Sequence, residues 1–272
     1  MQNILFDEQK QLELDMLVYI KEICEQHNIS YSLCGGSLIG AIRHKGFIPW
    51  DDDIDIFLTR DNYNHLINVL KSETRYKLYT PGVTPHYIYG FSKLINPQTI
   101  MYNDQEIKLD MPEMGVFIDI FPIDSIPEGK ETLMFKKARQ YTRRAIASSK
   151  VGYYYSSTPW KMYIKRILYY PEHLICRRKQ AEYWMKQLEQ MVQQYNNQET
   201  KYCGSIYSKY GEKEIFPQGF FDKTTTAVFE NIIFSVIKNY DVYLKTMYGD
   251  YMELPPEKER TLPHDYKAYW RK

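Results

Sequence analysis

Four carboxylates fall within five positions in Pro49-Trp50-Asp51-Asp52-Asp53-Ile54-Asp55-Ile56. From Asp53 onward acid and aliphatic residues alternate, and alternate residues of a β-strand share a face. Asp53 and Asp55 therefore point one way while Ile54 and Ile56 point into packing. Two acids side by side on a strand repel each other unless a cation sits between them. A third carboxylate comes from Val116-Phe117-Ile118-Asp119-Ile120-Phe121-Pro122, where Asp119 interrupts an apolar run. A lone acid there is costly unless a metal, a cation or a hydrogen bond satisfies it. Asp124, after Pro122, belongs to turn chemistry and reads as structural.

The elements upstream must position these acids. Tyr31–Cys34 reads as a short strand entering Gly35-Gly36-Ser37, with Ser37 capping a helix over Leu38–Lys45 that Gly46 ends. Glycines where a strand becomes a helix let backbone N–H groups approach a phosphate, or they simply make a tight turn. Arg43, His44 and Lys45 either complement the helix dipole or contact phosphate. Lys93, late in an expected strand Tyr87–Ile95, is either solvated or within reach of phosphate.

The remaining pattern supplies the scaffold. Apolar residues at Leu12, Met16, Tyr19, Ile20 and Ile23 predict a helix over Asp7–His27 with Asp7 as N-cap. Thr59 caps a second helix with core face Tyr63, Leu66, Ile67 and Leu70. Strands are expected at Tyr76–Thr80 and Thr99–Tyr102, and a hairpin at Thr224–Phe229 and Ile232–Ile237 turning at Glu230-Asn231. Asp241 opens a short helix that Gly249 ends, and the tail with Arg260 and His264 carries polar chemistry for a cleft. Glu131–Asn196 reads as mostly helical, basic and aromatic, with breaks near Val151–Pro159 and at Pro171.

Composition bounds the class. The 272 residues, 44% hydrophobic, suffice for a large core. Between Lys130 and Lys186, fourteen Lys and Arg stand against Glu131, Glu172 and Glu182, a balance of +11 in a chain of net charge +1, so the remainder carries −10. Basic and aromatic helices suit an anionic membrane headgroup zone or a polyanionic substrate, or an ordinary solvated hairpin. Cys24, Cys34, Cys176 and Cys203 show no CxxC spacing, which favours a reducing compartment. With no signal-peptide pattern and no apolar run of about 20 residues, the expectation is a cytoplasmic protein, soluble or peripheral on the inner membrane face. No nucleic-acid-reading motif is visible. The expected organisation is a catalytic core over 1–130, a basic helical insertion over 131–200, and a part completing the core over 201–272.

The run Cys34-Gly35-Gly36-Ser37-Leu38-Ile39-Gly40-Ala41-Ile42-Arg43-His44-Lys45-Gly46 through Pro49-Trp50-Asp51-Asp52-Asp53-Ile54-Asp55-Ile56 resembles the signature of the LicD family. Gly115–Pro122 and Tyr248-Gly249-Asp250-Tyr251-Met252 also look like family motifs. The resemblance implies an α+β, nucleotidyltransferase-like fold, with a mixed β-sheet and flanking helices to which the basic aromatic segment is added. It implies transfer of phosphocholine from CDP-choline, or another CDP-alcohol, to a sugar hydroxyl of a lipid-linked teichoic acid or other surface-glycan precursor, releasing CMP. Mg²⁺ (or Mn²⁺) would be held by Asp53, Asp55 and Asp119. Asp119 would share the metal or take the proton of the attacking hydroxyl. Gly35, Gly36, Ser37, Arg43, His44 and Lys93 would hold donor phosphates, and Asp51 or Asp52 would orient the loop or a metal-bound water. The same carboxylates would serve a nucleotidyltransferase acting on a small acceptor. A non-catalytic glycan- or membrane-binding scaffold is the remaining alternative.

Overall fold

The computed structural model describes residues 1–102, 111–149, 158–261 and 267–271. Tyr153, Tyr154, Tyr155 and His264 lie outside the described residues. The chain opens with α1 (Phe6–Gln26), β1 (Ser32–Leu33) and α2 (Gly35–Ile39), which runs directly into a π-helical turn over Gly40–His44. There follow β2 (Ile54–Thr59), α3 (Arg60–Leu70), β3 (Lys77–Tyr79), β4 (Ser92–Ile95), β5 (Thr99–Tyr102) and β6 (Phe117–Ile126). Three helices come next, α4 (Glu131–Ser148), α5 (Pro159–Cys176) and α6 (Ala181–Gln193). The chain closes with β7 (Tyr202–Gly204), β8 (Ile215–Pro217), β9 (Thr224–Phe229), β10 (Ile232–Ile237), α7 (Tyr240–Tyr248) and β11 (Lys267–Trp270).

Nine strands form one sheet in the order β3-β4-β6-β2-β1-β10-β9, with β7 continuing from β6 and β8 from β7. The β2–β6 and β1–β10 pairs are parallel and the others antiparallel, so the sheet is mixed. The core explains the alternation seen in the sequence, because Ile54 and Ile56 are fully buried in the hydrophobic cluster that also holds Leu17 and Ile20 of α1. Tyr63, Leu66, Ile67 and Leu70 form the buried face of α3 as the spacing predicts. The β9–β10 hairpin turns at Glu230 and Asn231, whose φ values of 49° and 62° are those a two-residue hairpin turn needs.

Several local readings change. Helix α1 starts at Phe6, and Glu8 accepts the Leu5 N–H, so Asp7 sits in the first turn instead of capping it. Of the expected strand Tyr87–Ile95 only Ser92–Ile95 pairs. Tyr87, Tyr89 and Phe91 instead pack ring to ring at 5.4–5.5 Å, and Phe91 meets Phe121 at 4.2 Å. Pro171 does not end its segment. It lies inside α5, where it removes one backbone hydrogen bond while the flanking turns carry the helix through.

Helices α4 and α6 bury a second hydrophobic cluster, with Met134, Phe135, Met185, Leu188 and Val192 packed on Ile126 of β6. A buried polar network ties this layer to the main core. Arg60 donates twice to Asp124 at 2.7 Å and once to Glu189 at 3.1 Å, while Asn196 donates to Asp124 at 2.7 Å. Asp124 is thus structural, though it sits in a strand and not in a turn. Its charge is compensated by a bidentate guanidinium, the geometry that makes a buried ion pair tolerable.

Candidate active site

The sheet register assembles the site. Asp55 and Asp119 are directly paired on the parallel strands β2 and β6, and Lys93 of β4 is paired with Asp119 on its other side. Cross-strand partners share a face, so Lys93, Asp119 and Asp55 form one row across three strands. Cys34 extends it, because its N–H donates to the Asp55 carbonyl at 3.0 Å. Asp53, two residues before Asp55, joins the same side. All five residues line a cavity of about 590 Å³ whose other walls include Gly35, Gly36, Trp50, Asp51, Tyr89 and Glu214.

Burial sets the electrostatics. The Asp55 carboxyl is pushed well above the usual range, first by burial and then by Asp53, Asp119 and Asp51, with Lys93 opposing. Burial likewise drives the Cys34 thiol upward, with Asp55 adding to it, so the thiolate is suppressed. Lys93 is only 3% exposed and ion-pairs with Asp119. Its ammonium also lies 3.5 Å from the centre of the Phe117 ring and 5.1 Å from that of Tyr89. Of the two readings of Lys93, the solvated strand end gives way to a buried cation wrapped in aromatic faces that lines the cavity.

Gly35 and Gly36 are the first two residues of α2, and both line the cavity. At Gly36 a Cβ would lie 2.2 Å from Asp51 Oδ2, so a glycine there is what lets that carboxylate rest against the helix start. Ser37 is not the cap. Cys34 occupies the N-cap position, and Ser37 Oγ accepts the Asp55 N–H at 2.9 Å, fixing the start of β2. Arg43 and His44 do not join the cavity wall. Arg43 donates to the carbonyls of Tyr251 and Glu253 at 2.6 and 2.9 Å, fastening the tail, and the His44 ring meets Trp50 edge-on at 6.3 Å. Arg260 closes the same corner, with its guanidinium 5.6 Å from the Trp50 ring centre.

The loop carrying Asp51–Asp53 is braced from α1 and from the hairpin tip. Gln9 Nε2 donates to the Asp52 carbonyl and to Glu13 Oε1, both at 2.9 Å, and Lys10 Nζ reaches the Ile48 and Pro49 carbonyls. Glu230 Oε1 accepts the Phe47 N–H at 3.1 Å. Glu13 is buried beneath the loop, and its carboxyl is raised well above normal by that burial.

The donor set is all carboxylate oxygen, the chemistry that a hard divalent cation selects. Oxygen atoms of Asp51, Asp52 and Asp53 come within 4.8 Å of one another. Asp55 Oδ1 is buried and has no hydrogen-bond partner among the described residues. A buried orphan carboxylate oxygen, facing two further acids, fits a bound cation.

Several lining residues carried little sequence signal. Tyr89 and Phe91 share the two-residue spacing of Lys93, which was legible, and Tyr248 falls in the third family-like motif. Glu214, Lys209 and Tyr210 reach the cavity from beyond the helical layer, and nothing in their neighbourhood marked them.

A mixed sheet with flanking helices and an acid-lined cavity at the β2–β6 junction defines a nucleotidyltransferase-like phosphotransferase. The family described as "LicD/FKTN/FKRP, nucleotidyltransferase domain" matches residues 28–150. Over 274 aligned residues the chain is 32% identical to the lipopolysaccharide cholinephosphotransferase LicD of Haemophilus influenzae, covering 99% of each chain. It is also 47% identical over 38 residues to the ribitol 5-phosphate transferase FKRP of Homo sapiens, covering 14% of this chain and 8% of that protein. The chain belongs to the LicD family.

Proposed function

We propose that the protein transfers phosphocholine from CDP-choline to a sugar hydroxyl of a surface-glycan precursor such as a lipid-linked teichoic acid, releasing CMP. The observation that carries this reading is the row Lys93–Asp119–Asp55, joined by Asp53, inside one cavity. In the reaction the acceptor oxygen forms a bond to the phosphorus bearing choline, and the bond from that phosphorus to the CMP oxygen breaks. Asp119 either takes the proton of the attacking hydroxyl or shares the metal with the acids of the β2 side. Lys93 and the backbone at Gly35 and Gly36 hold the donor's phosphates and oppose the charge that gathers on CMP. Asp53 and Asp55, with Asp51 beside them and Asp119 across the strand pair, would hold Mg²⁺ or Mn²⁺. When bound, that ion would supply charge neutralisation on the diphosphate.

Choline in particular is supported by the aromatic wall. A quaternary ammonium binds ring faces and cannot donate hydrogen bonds. Tyr89, Phe91 and Phe117 already surround one cation, the Lys93 ammonium, and Trp50, Tyr210 and Tyr248 line the same space. A ribitol phosphate donor is the second reading, favoured by the local identity to the ribitol 5-phosphate transferase. Its hydroxyls would turn to the tyrosine hydroxyls, Ser205, Ser208 and Glu214 of the lining in place of the ring faces.

Incubation with choline-labelled CDP-choline, Mg²⁺ and a teichoic-acid precursor tests the proposal. Labelled glycan and free CMP in equal amounts are expected. Pyrophosphate released from a nucleoside triphosphate, with CDP-choline inert, would instead identify a nucleotidyltransferase.

A further inference from the structure

Helix α5 is built inside out. Its half-buried or buried residues, Lys165, Tyr169, Glu172, His173 and Cys176, form one stripe. That stripe is held to α4, since Glu172 ion-pairs with Arg143 at 2.5 Å, Arg143 lies over the Tyr169 ring at 4.7 Å, and His173 Nδ1 meets the Ala147 carbonyl at 2.7 Å. The opposite face, at the i, i+3, i+4, i+7 spacing, carries Trp160, Tyr163, Ile164, Ile167, Leu168 and Ile175. All six are exposed, with Ile167, Leu168 and Ile175 at 64%, 65% and 64%. A surface helix of a globular protein shows the reverse order, apolar inward and polar outward.

The charges around this face all have one sign. Lys161, Arg166, Arg177, Arg178 and Lys179 flank it, and the helix's one acid, Glu172, is already bound to Arg143. No described helix is long and apolar enough to cross a membrane. Two copies of this face brought together would set basic flank against basic flank, whereas an anionic surface complements it.

We infer that α5 is the element by which the protein lies on an anionic lipid bilayer. The helix rests in the interface plane, with Trp160, Ile164, Ile167 and Leu168 at the boundary between headgroups and acyl chains. The neighbouring Lys and Arg extend to the lipid phosphates. This inference concerns a surface separate from the cavity and stands whichever donor the cavity takes.

Flotation with phosphatidylcholine vesicles containing about one-third phosphatidylglycerol tests it, with the double variant Ile167→Asp/Leu168→Asp as control. Both side chains are exposed, so the variant should keep the wild-type unfolding temperature. The wild type is expected to float at low salt, to bind pure phosphatidylcholine at least ~10-fold more weakly, and to lose at least ~10-fold in the double variant. Trp160 fluorescence should shift to the blue on binding, a change absent in Trp160→Phe. Failure of the wild type to float at low salt would overturn the inference, as would wild-type flotation by the double variant. So would light scattering that shows a dimer split by the double variant, in a protein that ignores vesicles.

Discussion

The Lys93 ammonium is ion-paired with the Asp119 carboxylate from a directly opposed position on the neighbouring strand, so the acidic row carries a cation of its own. Removing one partner of a buried pair leaves the other charge uncompensated, typically at a cost of about 3–5 kcal/mol. Lys93→Met should lower stability by that order in denaturant titration. Added Mg²⁺ should recover more of the loss than the same ion adds to the wild type. Unchanged stability, or a deficit that Mg²⁺ does not touch, would contradict the assignment.

Asp55 stands in the opposite position, a half-buried acid whose buried Oδ1 has no hydrogen-bond partner among the described residues and on which three acids act. Asp55→Asn removes that repulsion while keeping the shape. Unfolding should show a gain of about 1 kcal/mol, and the transfer rate should fall by about 10²–10³-fold, as when a charge-stabilising group is lost from an active site. An active variant, or one that is inactive only because it unfolds, would count against a chemical role.

Gly36→Ala would force a Cβ to within 2.2 Å of Asp51 Oδ2. The obstructing atom is the end of a side chain, so the carboxylate should swing away with little cost to the fold. Transfer should drop by about tenfold or more at near-wild-type melting temperature. Wild-type activity would show that the placement of Asp51 against α2 is immaterial.

Glu214 lines the cavity and accepts from Tyr243 at 3.2 Å. Burial raises its carboxyl to about 7, above the value near 4.5 of an unfolded chain. Between those two values the folded protein holds a proton that the unfolded chain has released. Stability from this group is therefore complete at low pH and declines as pH rises toward 7, by up to about 3 kcal/mol. Glu214→Gln should flatten that decline in denaturant titrations from pH 5 to 8, and an unchanged slope would exclude Glu214 as its source.

The site was legible where chemistry and periodicity coincide. Alternation around Asp53 and Asp55, and the single acid in the apolar run at Asp119, singled out carboxylates of which Asp55 and Asp119 stand opposite each other in the β2–β6 register. Spacing alone did not say whether Lys93 faces solvent or the acids, because that depends on which strand β4 pairs with. The parts that escaped are long-range. The fastening of Arg43 to the tail spans more than 200 residues, and the aromatic packing that shortens the strand before Lys93 depends on Phe121. Likewise, the stripe in α5 was visible as aromatic and basic, but its orientation required knowing which side α4 occupies.

In the proposed reaction the acids at the β2–β6 junction would join a divalent cation to the donor's diphosphate. Calorimetric titration of CDP-choline into the protein, with Mg²⁺ and then with chelator, reads this linkage. Binding should be tighter with the ion by at least ~100-fold, and the difference should vanish in Asp53→Asn and Asp55→Asn. Equal affinity with and without the ion, or an ion effect that survives both substitutions, would rule out a cation held by these acids.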